Sequence, residues 1–401
     1  MAGDSSDALA TIRLAPNPPG CSNGPSQSRH RTGPVQSVMI VAKPLDRNVV
    51  DRTNELARWL LTTPRHGLDV GVIVYVDEKL KSSQRFKDTL ELASDSKYQN
   101  MLKYWNYDLC RASPELFNLV VVLGGSGTVL YASTLFQGYV PPVIVFSLGT
   151  LSFLANYAFQ LHGSTLDRVM GEIGVVCQRT RLTCTVLRRD ATSPVQSAHT
   201  AGPDKDTIHE QFVVLSELKI GSEGSSHLPC LELYANGTIL TYVQADGVIF
   251  ATATGSTAYN LSARGPLLHP SLPCIILNAM SPHTLSFRPM ILPPDMVLTV
   301  LVPKGSRSKA YAYFDGSRIE LLQGDRVTID ASAATFPTID CGDTTSHWFA
   351  SLHASFSYGY QRSDPASRKL SIESPMGTGF GDELQEDDGH DECDIDILTG
   401  E

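Results

Sequence analysis

The sequence predicts two domains, an α/β domain built on a parallel sheet followed by a β-rich one. Three observations point there. Between residues 35 and 147, apolar runs of strand length alternate with helical periodicity, which is the pattern of a parallel sheet. From about residue 175 the pattern changes to short β-prone runs divided by turn signals. Between the early strands stands Leu123-Gly124-Gly125-Ser126-Gly127-Thr128, a glycine-rich turn behind a buried run and ahead of a helix. Such a turn collects backbone N–H groups in one place and can cradle a phosphate, although a plain tight turn uses the same residues.

Residues 1–34 are rich in Ser, Pro, Gly and Asn and read as a disordered tail. The α/β domain is placed at 35–174. Its first strand is 35–41, and a helix follows over 48–61, where Val49, Val50, Leu56, Trp59 and Leu60 recur at helical spacing. Further strands are read at 68–76, 116–123 and 142–147, with an ambiguous polar stretch before 116 and a helix after Thr128. The β-rich domain is placed at 175–345, with runs at 175–187, 211–220, 231–243, 248–251, 275–279, 297–302, 311–314 and 326–329. Ala235-Asn236-Gly237 and Phe314-Asp315-Gly316 are turn signals. A flexible insertion is expected at 192–207, and 346–362 is expected to return to the first domain. Residues 363–401 read as a disordered acidic tail.

The formal net charge of −10 is concentrated at that tail, because residues 382–401 hold ten acidic residues and no Lys or Arg. The remainder is near neutral, so a basic nucleic-acid surface is not expected. No apolar run has the length of a membrane span, and no signal-peptide core is read at the N-terminus. The eight cysteines form no Cys-x-x-Cys pair, so reduced thiols of a cytoplasmic protein are expected and a zinc site is not. Arg13, Arg29 and Arg31 among several serines make a mitochondrial address the alternative, weakened by Asp4 and Asp7.

Two later segments give the glycine turn a context. They are Gln244-Ala245-Asp246-Gly247 through Thr254-Gly255-Ser256-Thr257-Ala258-Tyr259-Asn260-Leu261-Ser262, and Ser281-Pro282-His283 through Phe287-Arg288-Pro289. With Phe146-Ser147-Leu148-Gly149 and Phe314-Asp315-Gly316, they resemble the NAD kinase family in its eukaryotic, fungal-like form, over about residues 38–362. The resemblance implies a two-domain fold with the active site between the domains. The implied activity is transfer of the γ-phosphoryl group of ATP to the 2′-hydroxyl of NAD or NADH. ATP, Mg²⁺ travelling with its phosphates and NAD are the implied ligands, and a homo-oligomer that buries or completes the site is the implied assembly, with a hetero-oligomer containing a related kinase as the alternative.

The departures from the family pattern matter as much as the agreements. The family's loop is Gly-Gly-Asp-Gly-Thr, whose aspartate is regarded as the catalytic base; here Ser126 occupies that position. A serine hydroxyl is too weakly acidic to replace a carboxylate base, a contribution of about 10²–10⁴-fold. The family's Asn-Glu pair, which holds the NAD ribose, appears as Ser216-Glu217, and Arg264 stands at a usual glycine. Gly124, Gly125, Gly127 and Thr128 keep the backbone half of the cradle. Glu217 is either a ribose acceptor or a solvated strand end. Asp246 faces the nucleotide region in family terms, or is ordinary Asx-turn chemistry. Thr254, Gly255, Ser256, Thr257, Ala258, Tyr259 and Ser262 supply small residues, hydroxyls and one ring for phosphate, ribose or adenine. Arg264 pairs with a phosphate, blocks a pocket or faces solvent; His283 reads as structural; Asp315 is a hairpin residue or a nucleotide contact. No protein-held metal site is read. Three functions therefore stand: an ATP-dependent NAD kinase with reduced activity, an inactive relative that binds dinucleotide and regulates an active kinase, and a kinase for another small hydroxylated substrate.

Overall fold

Near-continuous apolar runs such as Leu119–Leu123 (Leu-Val-Val-Val-Leu) are buried on both faces, as strands of a helix-covered parallel sheet must be. The computed structural model describes residues 28–29, 35–149, 152–171, 175–188, 209–222, 230–283, 287–306, 309–340 and 344–356. The expected insertion at 192–207, the acidic tail and all but two residues of the N-terminal tail lie outside these.

The first sheet runs in the order Ser28–Arg29, Val175–Arg179, Phe336–Asp340, Val143–Ser147, Leu119–Leu123, Ser37–Ala42, Ile73–Asp77, Leu102–Trp105, with Tyr157–Ala158 also paired to Val143–Ser147. From Phe336–Asp340 to Leu102–Trp105 every pairing is parallel. Alternate residues feed the two faces: Val38 and Ile40 join one core with Leu56, Leu60 and Val74, while Met39 and Val41 join another with Val129 and Ala132. The helix Arg47–Thr62 supplies Leu56 and Leu60; its N-cap Asp46 accepts from the N–H groups of Asn48 and Val49. The strand expected at 68–76 starts later, at Ile73, because His66 and Gly67 take positive φ and turn the chain first.

The β-rich domain is a sandwich of two six-stranded antiparallel sheets. One runs His209–Val214, Leu182–Leu187, Arg326–Ala331, Leu298–Leu301, Cys230–Ala235, Thr238–Gln244. The other runs Met290–Leu292, Ile275–Met280, Gly247–Ala251, Glu217–Gly221, Ala310–Phe314, Ser317–Leu321. Leu182, Cys184, Val186 and Val300 of the first interlock with Leu218, Ile220, Phe250 and Phe314 of the second. Strands such as Leu182–Leu187 alternate buried and half-buried, as a one-sided strand should. Gly247–Ala251 does not, because its outer residues Ile249 and Ala251 are covered by Leu268, Cys274 and Met280.

Three features differ from expectation. The run 175–187 is two strands, not one: Val175–Arg179 belongs to the parallel domain's sheet and Leu182–Leu187 to the sandwich. The chain comes back to the first sheet at Phe336–Asp340, before residue 346, and the helix Thr344–Phe356 then places His347 against Tyr157 and Asp340. Within the expected disordered tail, Ser28 and Arg29 pair with Val176 and Val175.

Candidate functional site

In the first sheet, Ser37–Ala42 has Ile73–Asp77 on one side and Leu119–Leu123 on the other. The order of strands therefore reverses direction between Ser37–Ala42 and Leu119–Leu123. Ligands of open α/β sheets bind beyond the carboxyl ends of the strands at such a switch point. Gly124 begins the turn at that place. Its φ is +148°, and a Cβ there would collide with the Thr128 hydroxyl, so glycine is required by the chain itself. Gly125 and Gly127 are different. A Cβ on either would meet nothing within 4 Å. Both are exposed, with Ser126 between them. Their smallness serves no contact inside the chain and leaves room for something outside it.

Ser126 is the first residue of the helix Ser126–Leu135, whose N-cap Gly125 offers no side-chain cap and whose first turn has no acid. Thr128 and Val129 are the residues that donate back to the Gly125 carbonyl, at 3.0 and 3.3 Å. The N–H groups of Ser126 and Gly127 precede those bonds and point off the positive end of the helix. An anion placed there meets N–H donors and a favourable dipole.

The Leu215-Ser216-Glu217 segment is held by Asp315. The Asp315 carboxylate accepts from the N–H groups of Leu215 (2.6 Å), Ser216 (2.9 Å) and Glu217 (2.9 Å). Asp315 is also a hairpin residue, with φ +45°. Burial pushes its pKa up, against these three bonds and the positive charge of Arg181. Thr252 ties the segment to the next one, donating to the Leu215 carbonyl at 2.7 Å and accepting from Gly255 N–H at 3.1 Å. A Cβ on Gly255 would collide with the Ser216 carbonyl, so Gly255 is the residue that lets the two segments touch.

Glu217 closes this arrangement. Its carboxylate accepts from Tyr259 N–H (3.3 Å) and Asn260 N–H (3.2 Å), capping the one-turn helix Tyr259–Ser262. Burial pushes its pKa up to about 7; the two N–H bonds and Lys219 pull downward, and Asp315 adds to the rise. The Lys219 ammonium lies 5.2 Å from the centroid of the Tyr259 ring and 4.1 Å from that of Tyr313. Tyr259 as a residue is 47% exposed, and an aromatic ring at an exposed position can stack on a planar group.

Several predicted site residues are thus gathered, and others are not. Ser216, Glu217, Thr254, Gly255, Thr257 and Tyr259 converge. Ala258 and Ser262 are exposed on the same short stretch. Ser256 is fully buried, and its hydroxyl both donates to the Leu268 carbonyl (3.3 Å) and accepts from Leu268 N–H (3.0 Å). That hydroxyl is a structural brace and not the ligand contact expected of it. Thr254 is also buried, with its hydroxyl accepting from Arg179. Asp246 is exposed but distant. Glu217 pairs with Ala251 and Gly221 with Gly247, so Asp246 stands just beyond the opposite end of that strand pair, five residue steps or about 17 Å away. Arg264 is exposed with φ +58°, a conformation that favours glycine. Among the described residues no group of three or more His, Cys, Asp or Glu side chains forms a metal cage. Sequence reasoning missed Thr252, Arg179 and Arg181. The signal for the two arginines was present: they interrupt an otherwise apolar β-prone run.

Comparison with known proteins completes the picture. Residues 38–173 match the model of the ATP-NAD kinase N-terminal domain, and residues 215–341 match that of the ATP-NAD kinase C-terminal domain. The chain is 44% identical over 311 residues to the NAD(+) kinase of Saccharomyces cerevisiae, covering 76% of this chain and 57% of that protein. It is 38% identical over 320 residues to the ATP-NADH kinase YEF1 of the same yeast, covering 79% and 63%. The crystal structure of yeast NADH kinase complexed with NADH superposes with a TM-score of 0.66 at 26% identity, covering 82% of this chain and 89% of that one. The chain spans about three fifths of the length of these two curated relatives.

Proposed function

The chain belongs to the NAD kinase family, and from that premise we propose that it transfers the γ-phosphoryl group of ATP to the 2′-hydroxyl of NAD or NADH, giving NADP(H). The observation that carries the reading is the Gly124–Gly127 turn at the topological switch point, with open space over Gly125 and Gly127 and the N–H groups of Ser126 and Gly127 directed outward. In the transfer, the 2′-oxygen bonds to the γ-phosphorus, the bond from that phosphorus to the β–γ bridging oxygen breaks, and ADP leaves. The hydroxyl proton passes to water. Because the transition state is loose, alignment and N–H donors sustain a slow reaction without the family's aspartate, and what is lost is the general-base assistance to departure of the hydroxyl proton. Mg²⁺ would enter as part of the ATP complex, held by phosphate oxygens.

A homo-oligomer is part of the proposal. Asp246 lies about 17 Å from the Glu217 end, just beyond its strand, so a site that brings both to one ribose or phosphate draws them from different copies. A cytoplasmic setting accompanies it, supported by the free thiols of Cys110, Cys177, Cys184, Cys230 and Cys274. A second reading, a dinucleotide-binding relative without turnover, is favoured by one observation, the serine at position 126. Purified protein with NAD, ATP and Mg²⁺ tests both, with NADP read by a coupled dehydrogenase and NAD affinity by calorimetry. NADP formation supports the kinase. Binding without NADP supports the regulatory relative, or an acceptor other than NAD. A folded sample that binds neither ATP nor NAD refutes every nucleotide reading.

A further inference from the structure

The chain crosses from the parallel domain to the sandwich through Arg179-Thr180-Arg181, and both arginines are buried, at 5% and 0% exposure. Each is satisfied by neutral oxygen atoms. Arg179 donates through Nε to the Thr338 hydroxyl (3.1 Å) and through Nη1 to the Thr254 hydroxyl (3.3 Å). Arg181 donates through Nε to the Ala334 carbonyl (2.7 Å), through Nη1 to the Phe136 carbonyl (2.6 Å) and through Nη2 to the Gly138 carbonyl (3.0 Å). Asp340 and Asp315 supply negative charge at longer range.

These partners are not scattered. Phe136 is the C-cap of the helix whose first residue is Ser126, so Arg181 grips the far end of the element that presents the glycine turn. A cation at a helix C-terminus also complements its dipole. Between the two gripped carbonyls, Gln137 accepts from Val213 N–H at 2.9 Å, and Val213 leads directly into Leu215-Ser216-Glu217. Arg179 holds Thr254 to Thr338 of the Phe336–Asp340 strand, and Thr254 opens the turn that meets Ser216. A buried guanidinium is a weak source of stability, since its desolvation offsets much of what its bonds return. Its rigid fork is suited instead to fixing several acceptors relative to one another.

We propose that Arg179 and Arg181 are positioning residues, a two-arginine latch at the domain crossover that sets the spacing between the Gly124–Thr128 turn and the Ser216–Glu217/Thr254–Thr257 half of the site. The proposal rests on the phosphotransfer reading for its effect on rate, not for its effect on structure. Lysine keeps the charge but cannot span the fork. The test uses the full chain with Arg181→Lys, Arg179→Lys and Thr338→Val. Thr338→Val keeps the β-branched shape and removes one Arg179 acceptor away from the turn. Initial rates of NADP formation give kcat and KM, thermal unfolding checks the fold, and amide hydrogen exchange is followed peptide by peptide. Misplacement by about 1 Å costs up to about 10²-fold, so kcat should fall by about tenfold or more in each arginine variant while the KM for NAD stays within about threefold. Exchange should quicken over 126–138 in Arg181→Lys and over 252–257 in Arg179→Lys and Thr338→Val. It should stay unchanged at the Leu298–Leu301 strand inside the sandwich. Wild-type kcat with wild-type exchange in these segments overturns the latch, as does a uniform rise in exchange along the chain. If wild-type protein forms no NADP, the phosphotransfer reading fails, and the exchange pattern alone decides the latch.

Discussion

Replacing Ser126 by aspartate should raise the rate of NADP formation by about 10²–10⁴-fold, the usual contribution of a positioned general base. At about 1.36 kcal/mol per tenfold, this lowers the barrier by about 2.7–5.4 kcal/mol. The fold should tolerate the change well. Ser126 is exposed, it already occupies the first helical position, and the first turn holds no acid. A carboxylate there meets the positive end of the helix and adds about 0.3–1 kcal/mol of stability. The assay couples NADP to a dehydrogenase specific for it, with NAD affinity measured in parallel so that binding and turnover separate. An unchanged rate in a folded variant that binds NAD as tightly as wild type would refute the reasoning. In that event the turn does not lie beside the reacting hydroxyl, and the acceptor site has moved.

Other consequences can be measured on the same protein. Arg264→Gly should raise the free energy of unfolding by about 1 kcal/mol, because φ +58° strains an L side chain; a higher urea midpoint at an unchanged slope is the check. Glu217 has a folded-state pKa of about 7 against 4.5 ordinarily, so the fold favours its neutral form. Its stabilising contribution is therefore complete below pH 4.5 and is lost as pH rises through 7, a change of up to about 3 kcal/mol that Glu217→Gln should remove. Unfolding curves of both proteins from pH 4.5 to 7 test this; parallel curves contradict it. Asp315→Asn should cost about 1–3 kcal/mol, because one amide oxygen cannot serve the three N–H groups the carboxylate now serves, and chemical unfolding reads the loss.

Much of the fold was legible because burial on both faces leaves an unmistakable apolar run. Leu119–Leu123 and Val143–Ser147 are such strands, and the helix Arg47–Thr62 shows its buried stripe at helical spacing. Leu102–Trp105 was not legible: it is an edge strand with Lys103 outward and only Trp105 buried. The break between Val175–Arg179 and Leu182–Leu187 was hidden for another reason. No Gly or Pro marks it, and the crossover is made by two arginines whose partners are up to 159 residues away along the chain. At the site, the residue types were readable but their duties were not. Nothing local says that the Ser256 hydroxyl serves Leu268, that Glu217 caps Tyr259–Ser262, or that Asp246 stands at the far end of a strand. Such duties come from tertiary placement, and neighbouring hydroxyls in one motif end up with different partners.

The most direct measurement of the central claim is product formation by the wild-type chain: NAD, ATP and Mg²⁺ incubated with purified protein, and the nucleotide products separated and identified by mass and by reactivity with an NADP-specific dehydrogenase. The account predicts NADP, formed slowly and in proportion to protein, from a turn that carries Ser126 in place of a carboxylate. Folded protein that binds NAD and ATP yet yields no NADP would contradict it.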